Sequence, residues 1–419
     1  MKAFTALSAL LPLAAAKVNY DGYRAFHIDS ADNYEAVRSA LSDIKHVSLS
    51  CENNRKSLDV AIAPESMKAF KALNLDTKVI SEDLGAEMAA ETFKTYVRAT
   101  TKSGAAAIPD QSYFEAYHSW EEHGQFLEDL SGAFADNSET FVAGQSLEGR
   151  DMRGIHLYGS GGPGKTAIVW HGNVHAREWI TSMTVEYMAW KIVTDYQGGD
   201  KDIVATLDNY DFYILPIVNP DGFVYTIDED RMWRKNRQER SGESCVGTDV
   251  NRNWPYKWDI EGGSSPDPCD ETFRGEAEGD TPEMQVLTNH TQGIADSQGI
   301  KYFVDWHSFS QLILLPYGYS CDAEVANLDK QKSLGAGVAE GIASVNGLQF
   351  EHGPTCEIIY QAAGSSMDWA TDVAKAELAW GFELRPTSGG SNGFVLTPDN
   401  IVPSGKEVYA GMKWLFNNF

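Results

Sequence analysis

The sequence predicts an α/β fold: a mixed, largely parallel central sheet flanked by helices, preceded by a small α+β unit. Beyond residue 110, four apolar runs rich in β-branched and aromatic residues (TAIVWHG, DFYILPIVN, KYFVDWHS and ELAWGFELR) are separated by stretches of helical periodicity. Residues 22–81 alternate shorter strand-like and helical runs. The charge is also divided unevenly. The chain of 419 residues carries a formal −26, yet residues 1–105 hold 13 basic and 13 acidic side chains, leaving 21 basic against 47 acidic in the remainder. A compositional shift of that kind suits a smaller unit joined to a larger one.

Taken in order, the chain opens with MKAFTALSALLPLAAA. One basic residue, an apolar stretch and a small-residue site read as a secretory signal peptide over residues 1–16. No later segment approaches the ~20 apolar residues that a membrane-spanning helix needs. The expected destination is extracellular, with a vacuole as the alternative.

GYRAFHI then reads as a strand, NYEAVRSALSDI as an amphipathic helix, and HVSLSCE and SLDVAIA as two strands about a turn at Asn53-Asn54-Arg55. ESMKAFKAL is a second helix and TKVISED a fourth strand. The order βαββαβ suggests an open sandwich of the ferredoxin-like type. EDLGAEMAAETFKTYVRA, residues 82–99, reads as one long helix ending in basic residues. TTKSGAAAIPDQ follows as a linker without periodicity, open to proteolysis near Arg98 or Lys102.

In the larger unit the four apolar runs are the buried strands. TSMTVEYMAWKIVTDY and SGKEVYAGMKWLFN are the principal helices, and sites belong at the strands' C-terminal ends. Hydrophobic residues at 42% with 11% aromatics suffice for a buried core. So acidic a body argues against nucleic acid and anionic membrane as partners, and it suits a soluble monomer. In an oxidising compartment the five cysteines are disulfide candidates. Pairing Cys245 with Cys269 and Cys321 with Cys356 closes two moderate loops, each worth ~3 kcal/mol, though connectivity is open from sequence alone. Asn289-His290-Thr291 is one glycosylation sequon.

Several residue groups could carry chemistry. HGNVHAREWI offers two ligand pairs, His171/His175 and His175/Glu178. With the helix starting near Ala176, His175 and Glu178 stand at i and i+3 across a strand-to-helix junction. His307, at the end of KYFVDWHS, is a candidate distant third ligand of an open zinc site. RMWRKNR packs four basic residues into seven within an acidic unit. Asn251 and Arg252, beside Asp249, could grip a carboxylate through the planar guanidinium fork. Glu383 stands in an apolar strand, where a carboxylate is costly without a partner or a task.

HAREW, NPDGF, RMWRK, DVNRNW, HSFSQL with LPYGY, IYQAAGSSMDW and FELR occur in the order found in the zinc metallocarboxypeptidases of the pancreatic carboxypeptidase A/B type. The chain resembles a precursor of that family over nearly its whole length. The resemblance implies a zinc carboxypeptidase fold, with signal peptide 1–16, an inhibitory pro-domain with a linker helix over 17–102, and a catalytic domain over 103–419. It implies one zinc ion held by His175, Glu178 and His307, with Asp249 orienting His175. Glu383 matches the general base for the attacking water, and Arg234 the residue that polarises the scissile carbonyl. Asn251, Arg252 and Tyr360 match the residues that hold the substrate's terminal carboxylate; Arg177 matches a neighbouring subsite, and Ser308 falls among the substrate-binding positions.

Met367 stands where basic-specific members of the family have an aspartate, and Leu314, Gly318, Ile359, Ala362 and Gly381 occupy other pocket positions. A pocket without a counter-charge should favour large apolar or aromatic C-terminal residues. The implied partners are peptide C-termini and a protease that cuts near Arg98 or Lys102. Two positions depart from the mammalian pattern: Phe309 replaces a tyrosine, and Pro386 an aspartate.

Overall fold

The computed structural model describes residues 17–30, 33–50, 57–100, 106–387 and 393–419. Residues 1–16, read above as a signal peptide, Asn53-Asn54-Arg55, read as a turn, Cys51 and Lys102 lie outside the described residues.

In the small unit, strands β1 (Arg24–Asp29), β2 (His46–Ser48), β3 (Ser57–Ile62) and β4 (Thr77–Ser81) form a sheet in the order β2-β3-β1-β4. Every neighbouring pair is antiparallel. Helices Tyr34–Leu41 and Met67–Ala72 follow β1 and β3, which is the βαββαβ order expected from the sequence. Phe26, Ile28, Val60 and Ile62 pack against Tyr34, Val37, Leu41 and Phe70 from those helices.

The large sheet has eight strands: β5 (Ser138–Gln145), β6 (Asp151–Leu157), β7 (Thr166–Gly172), β8 (Tyr210–Leu215), β9 (Ile300–Ser308), β10 (Leu312–Leu315), β11 (Glu351–Pro354) and β12 (Leu378–Leu384). Their order is β11-β10-β12-β9-β7-β8-β6-β5. The four apolar runs form its parallel centre, β12-β9-β7-β8. Antiparallel additions flank them: β10 beside β12, and β6 and β5 beyond β8. The sheet is therefore more mixed than the sequence suggests. The outer strands include the four-residue β10 and β11, too short to carry a readable alternation.

Period-2 alternation divides the core. Ile168, Trp170, Tyr302, Val304 and Trp306 point to the side covered by helices Trp179–Gln197 and Ile401–Phe416. Ala167, Val169 and Phe303 point to the other side, against Trp254, Met284 and Trp369. The pairs Cys245–Cys269 and Cys321–Cys356 are both bonded.

The long helix expected over 82–99 does not form. A helix covers Leu84–Ala89 only, and the chain then runs extended along the large unit. Tertiary contacts account for this. The Glu91 carboxylate receives Arg231 Nε at 2.7 Å and Nη2 at 2.6 Å, with both side chains buried. Phe93 meets Trp179 edge-on at 5.1 Å, and Tyr96 donates to Asp129 at 2.9 Å. Helix propensity is worth only tenths of a kcal/mol per residue and cannot compete with a buried ion pair and ring contacts.

After β12, Arg385 donates through Nε to Glu407, which is fully buried on the C-terminal helix, at 2.9 Å; its Nη2 reaches the other carboxylate oxygen at 2.5 Å. Replacing Arg385 by Ala leaves that buried carboxylate without its cation, with Asn346 Nδ2 at 2.8 Å as a remaining donor. The expected loss is ~3–5 kcal/mol, read from urea unfolding, and exchanging both partners for apolar residues should cost less.

Candidate active site

β7 ends at Gly172, and the chain turns through Asn173, whose φ of 53° is left-handed. The Asn173 side chain donates to the carbonyls of Glu178 at 3.2 Å and Ala176 at 3.4 Å, so it braces the turn from inside. The helix begins at Trp179, three residues later than the sequence suggests, with Glu178 at its N-cap. His175 and Glu178 thus meet across a braced turn and not along a helix face. His175 Nδ1 lies 2.9 Å from Glu178 Oε1.

His307, near the end of β9, completes the group. Its Nδ1 is 3.1 Å from His175 Nδ1 and 3.4 Å from Glu178 Oε2. The three side chains are buried, and this is the one such gathering of potential metal ligands among the described residues. Two imidazole nitrogens and a carboxylate oxygen are a donor set that zinc accepts. Their spacings of 2.9, 3.1 and 3.4 Å bracket the ~3.3 Å that tetrahedral bonds of ~2.0–2.1 Å impose on neighbouring ligand atoms. Two ring nitrogens 3.1 Å apart can share either a proton or a cation. The residues fit the metal.

His171 is excluded from the group by its place on β7. Strand alternation turns its ring into the core, 5.0 Å from Phe303 and stacked near Trp254. Burial pulls its pKa down to about 3, which keeps it neutral.

Behind His175, Asp249 Oδ1 lies 3.1 Å from Nε2. Its other oxygen accepts from Arg234 Nη2 at 2.8 Å and Nε at 3.2 Å. Burial would push this carboxyl up, but Arg234 and His175 outweigh it and hold Asp249 well below the usual range. Glu178 behaves alike: burial opposes its charge, and the two imidazoles hold the carboxyl low.

Glu383 on β12 stands in register with His307 on β9. Burial pushes its carboxyl up to about 8; His307 draws it down and the Glu178 charge draws it up. Its Oε2 has no hydrogen-bond partner among the described residues, so one oxygen is available in the cleft.

At the other end of the cleft, Arg252 Nη2 donates to the Tyr360 hydroxyl at 2.6 Å and Nη1 to the Asn251 carbonyl at 2.9 Å; Nε has no partner among the described residues. Gly364, with φ +64°, lets its loop close on this corner, where a Cβ would meet the Arg252 carbonyl at 2.4 Å. Met367, Leu314, Gly381, Ile359 and Ala362 line an apolar recess of the same cleft. Gly318 borders it from behind, donating its N–H to Asp368 at 3.0 Å. Asp368 is fully buried and accepts from Tyr319 as well, and burial lifts its carboxyl to about 7.

Ser308 does not reach the cleft wall. It is fully buried, and its backbone N–H donates to Glu178 Oε2 at 3.1 Å, so it braces a member of the candidate metal group. Arg177 is buried as well, with Nη1 donating to Glu271 at 3.0 Å, Met232 O at 3.2 Å and Ser48 O at 3.4 Å. Ser48 and Ser50 come from the small unit, and with Glu271 and Thr272 they line the cleft. No local pattern in the sequence marks these four, because contacts between units decide them. Phe309 is buried against Phe394 at 5.0 Å.

The zinc carboxypeptidase family model matches residues 123–411. The chain belongs to the zinc carboxypeptidase family. It is 42% identical over 421 aligned positions to a metallocarboxypeptidase A-like protein of Trichophyton verrucosum, covering 99% of this chain and 96% of that one. It is 40% identical to metallocarboxypeptidase A of Arthroderma otae, covering 97% and 96%. The crystal structure of carboxypeptidase A from Helicoverpa armigera aligns with a TM-score of 0.78 at 27% identity, over 94% of this chain and 97% of that one. Thrombin-activatable fibrinolysis inhibitor shares the fold, with a TM-score of 0.84 at 24% identity, over 95% and 98%. This zinc carboxypeptidase is therefore a peptidase that hydrolyses C-terminal residues, in a family that depends on zinc.

The geometry predicts different outcomes for the two histidines of HGNVHAREWI. Metal analysis of purified His175→Ala should find no stoichiometric zinc, whereas His171→Ala should keep one equivalent.

Proposed function

We propose that the protein is an A-type metallocarboxypeptidase, made as a secreted precursor, which removes large apolar or aromatic residues from peptide C-termini. The observation that carries this reading is one cleft holding the His175/Glu178/His307 group, Glu383 beside it and the Arg252 corner at its far end. Bound zinc would supply Lewis acidity and a water nucleophile near neutrality. Glu383, in register with His307 and with one oxygen unpartnered among the described residues, would accept the proton of the attacking water and return it to the leaving amine. Arg234, held by Asp249 at the cleft wall, is placed to stabilise the oxyanion that develops on the scissile carbonyl.

Asn251, Arg252 and Tyr360 would take the terminal carboxylate, with Arg252 Nε still unpaired. A fixed cation in the same cleft as the metal group would favour a chain end, where a free carboxylate is available. The recess lined by Met367, Leu314 and Gly381 would take the last side chain. Asp368 lies next to it in sequence, but its carboxylate is spent on the N–H groups of Gly318 and Tyr319.

In the proposed precursor, residues 1–16 direct export, residues 17–102 cover the cleft and 103–419 form the catalytic domain. Three contacts support the cover: Ser48 and Ser50 in the cleft, the Ser48 carbonyl on Arg177, and the buried Glu91–Arg231 pair. Of the two candidate cutting positions, Arg98 is 55% exposed and ion-paired with Asp129 at 2.7 Å. Cleavage there requires that pair to open.

Blocked dipeptides ending in Phe or Arg, assayed before and after limited trypsin treatment, test the reading. Hydrolysis of the Phe substrate should appear after trypsin, vanish with a zinc chelator and exceed that of the Arg substrate by ~10²-fold or more, because the recess leaves a cation unpaired. No chelator-sensitive hydrolysis would defeat the enzyme assignment, and preference for Arg would defeat the pocket assignment. Met367→Asp should move preference toward Arg, and Glu383→Gln should lower kcat by ~10²–10⁴ with zinc retained. Glu91→Ala leaves Arg231 buried without its carboxylate, so the uncut chain should gain activity by roughly tenfold or more.

A further inference from the structure

His307 faces a second carboxylate on the side away from the proposed metal. Asp305 precedes it by two residues on β9, so strand alternation carries both side chains to the same face of the sheet. His307 Nε2 has two polar neighbours, Asp305 Oδ2 at 3.3 Å and Asn251 Nδ2 at 3.2 Å. The orientation of the Asn251 amide is set independently, because its Oδ1 accepts the backbone N–H of Ser366 at 2.9 Å. The Asn251 group facing His307 is therefore an NH₂, which can only donate. A neutral imidazole that offers Nδ1 to a metal carries its proton on Nε2. Of the two neighbours, only the carboxylate can accept that proton's hydrogen bond.

Ser366 holds this arrangement from above: its hydroxyl donates to Asp305 Oδ2 at 2.6 Å while its N–H fixes Asn251. Asp305 is 2% exposed, and its Oδ1 has no hydrogen-bond partner among the described residues. If anchoring Ser366 were its sole task, a neutral acceptor would serve without burying a charge. We propose that Asp305 is a positioning residue of the metal centre, which holds His307 as the Nε2–H tautomer with Nδ1 aimed at the ion, as Asp249 does for His175. This inference rests on the metal centre of the proposed function. Both imidazole ligands are then backed by carboxylates, which raises their basicity and tightens zinc.

The test uses the full chain, with zinc affinity measured by competition against a chromophoric chelator and stability by urea unfolding of the zinc-free protein. Asp305→Asn and Asp305→Ala should weaken zinc binding by ~10–100-fold, and the visible bands of the cobalt-substituted protein should shift. The unfolding midpoint of zinc-free Asp305→Asn should stay within a few per cent of wild type. Ser366→Ala, which leaves the carboxylate facing His307, should weaken zinc by less than Asp305→Ala. Unchanged zinc affinity and cobalt spectrum in Asp305→Asn would overturn the positioning role, as would a loss in Ser366→Ala equal to that in Asp305→Ala. If Asp305→Ala does not fold, Asp305→Asn against wild type decides. Failure of wild type to bind zinc would instead overturn the metal centre itself.

Discussion

The buried carboxylate of Asp249 ties together the segments that build the cleft. It accepts from Arg234, meets His175 Nε2 and receives the backbone N–H of Asn251 at 2.9 Å. A fully buried, unpaired carboxylate costs several kcal/mol, so the basic loop, the turn after β7 and the segment at Val250–Arg252 are each held by the need to satisfy it. Each of these segments delivers a candidate functional residue. The polar interior of the cleft is in this sense one charge-balanced unit, and its parts depend on one another.

The parallel centre of the sheet supplies the other half of the geometry. Register between β9 and β12 sets His307 beside Glu383, and β7 points its following turn to the same end. The antiparallel β10 then lies against β12, with Leu314 opposite Gly381, and so the recess is built next to the carboxylates. A glycine at that point matters, because a Cβ on Gly381 would stand 3.0 Å from the Met367 sulfur.

Cations from both units join the small unit to the large one. Arg231 pairs with Glu91, Arg177 donates to the Ser48 carbonyl, and Arg38 of the small unit reaches Asp270 at 2.7 Å. In the proposed precursor, cover and cleft thus stabilise each other. Removal of the cover would take the Glu91 carboxylate from Arg231 and the Ser48 carbonyl from Arg177.

Much of this was legible in the sequence. The four central strands announce themselves as apolar β-branched runs because both their faces are buried, and the βαββαβ order follows from short-range periodicity alone. The candidate site residues were legible through the ordered motifs, whereas spacing by itself left His171 and Glu178 as rival partners of His175. Glu178 is the one that meets it in three dimensions: His171 is still on β7, where alternation commits it to the Trp254 side of the core, while Glu178 Oε1 lies 2.9 Å from His175 Nδ1. The segment 82–99 carries helical periodicity yet runs mostly extended, because Glu91, Phe93 and Tyr96 have distant partners worth more than local propensity. The central strands, the order of the small unit and the chemical inventory were readable before folding, since they depend on near neighbours and side-chain type. Which side chains share one cleft was decided only in three dimensions, because burying a charge requires partners that the chain brings from far along its length.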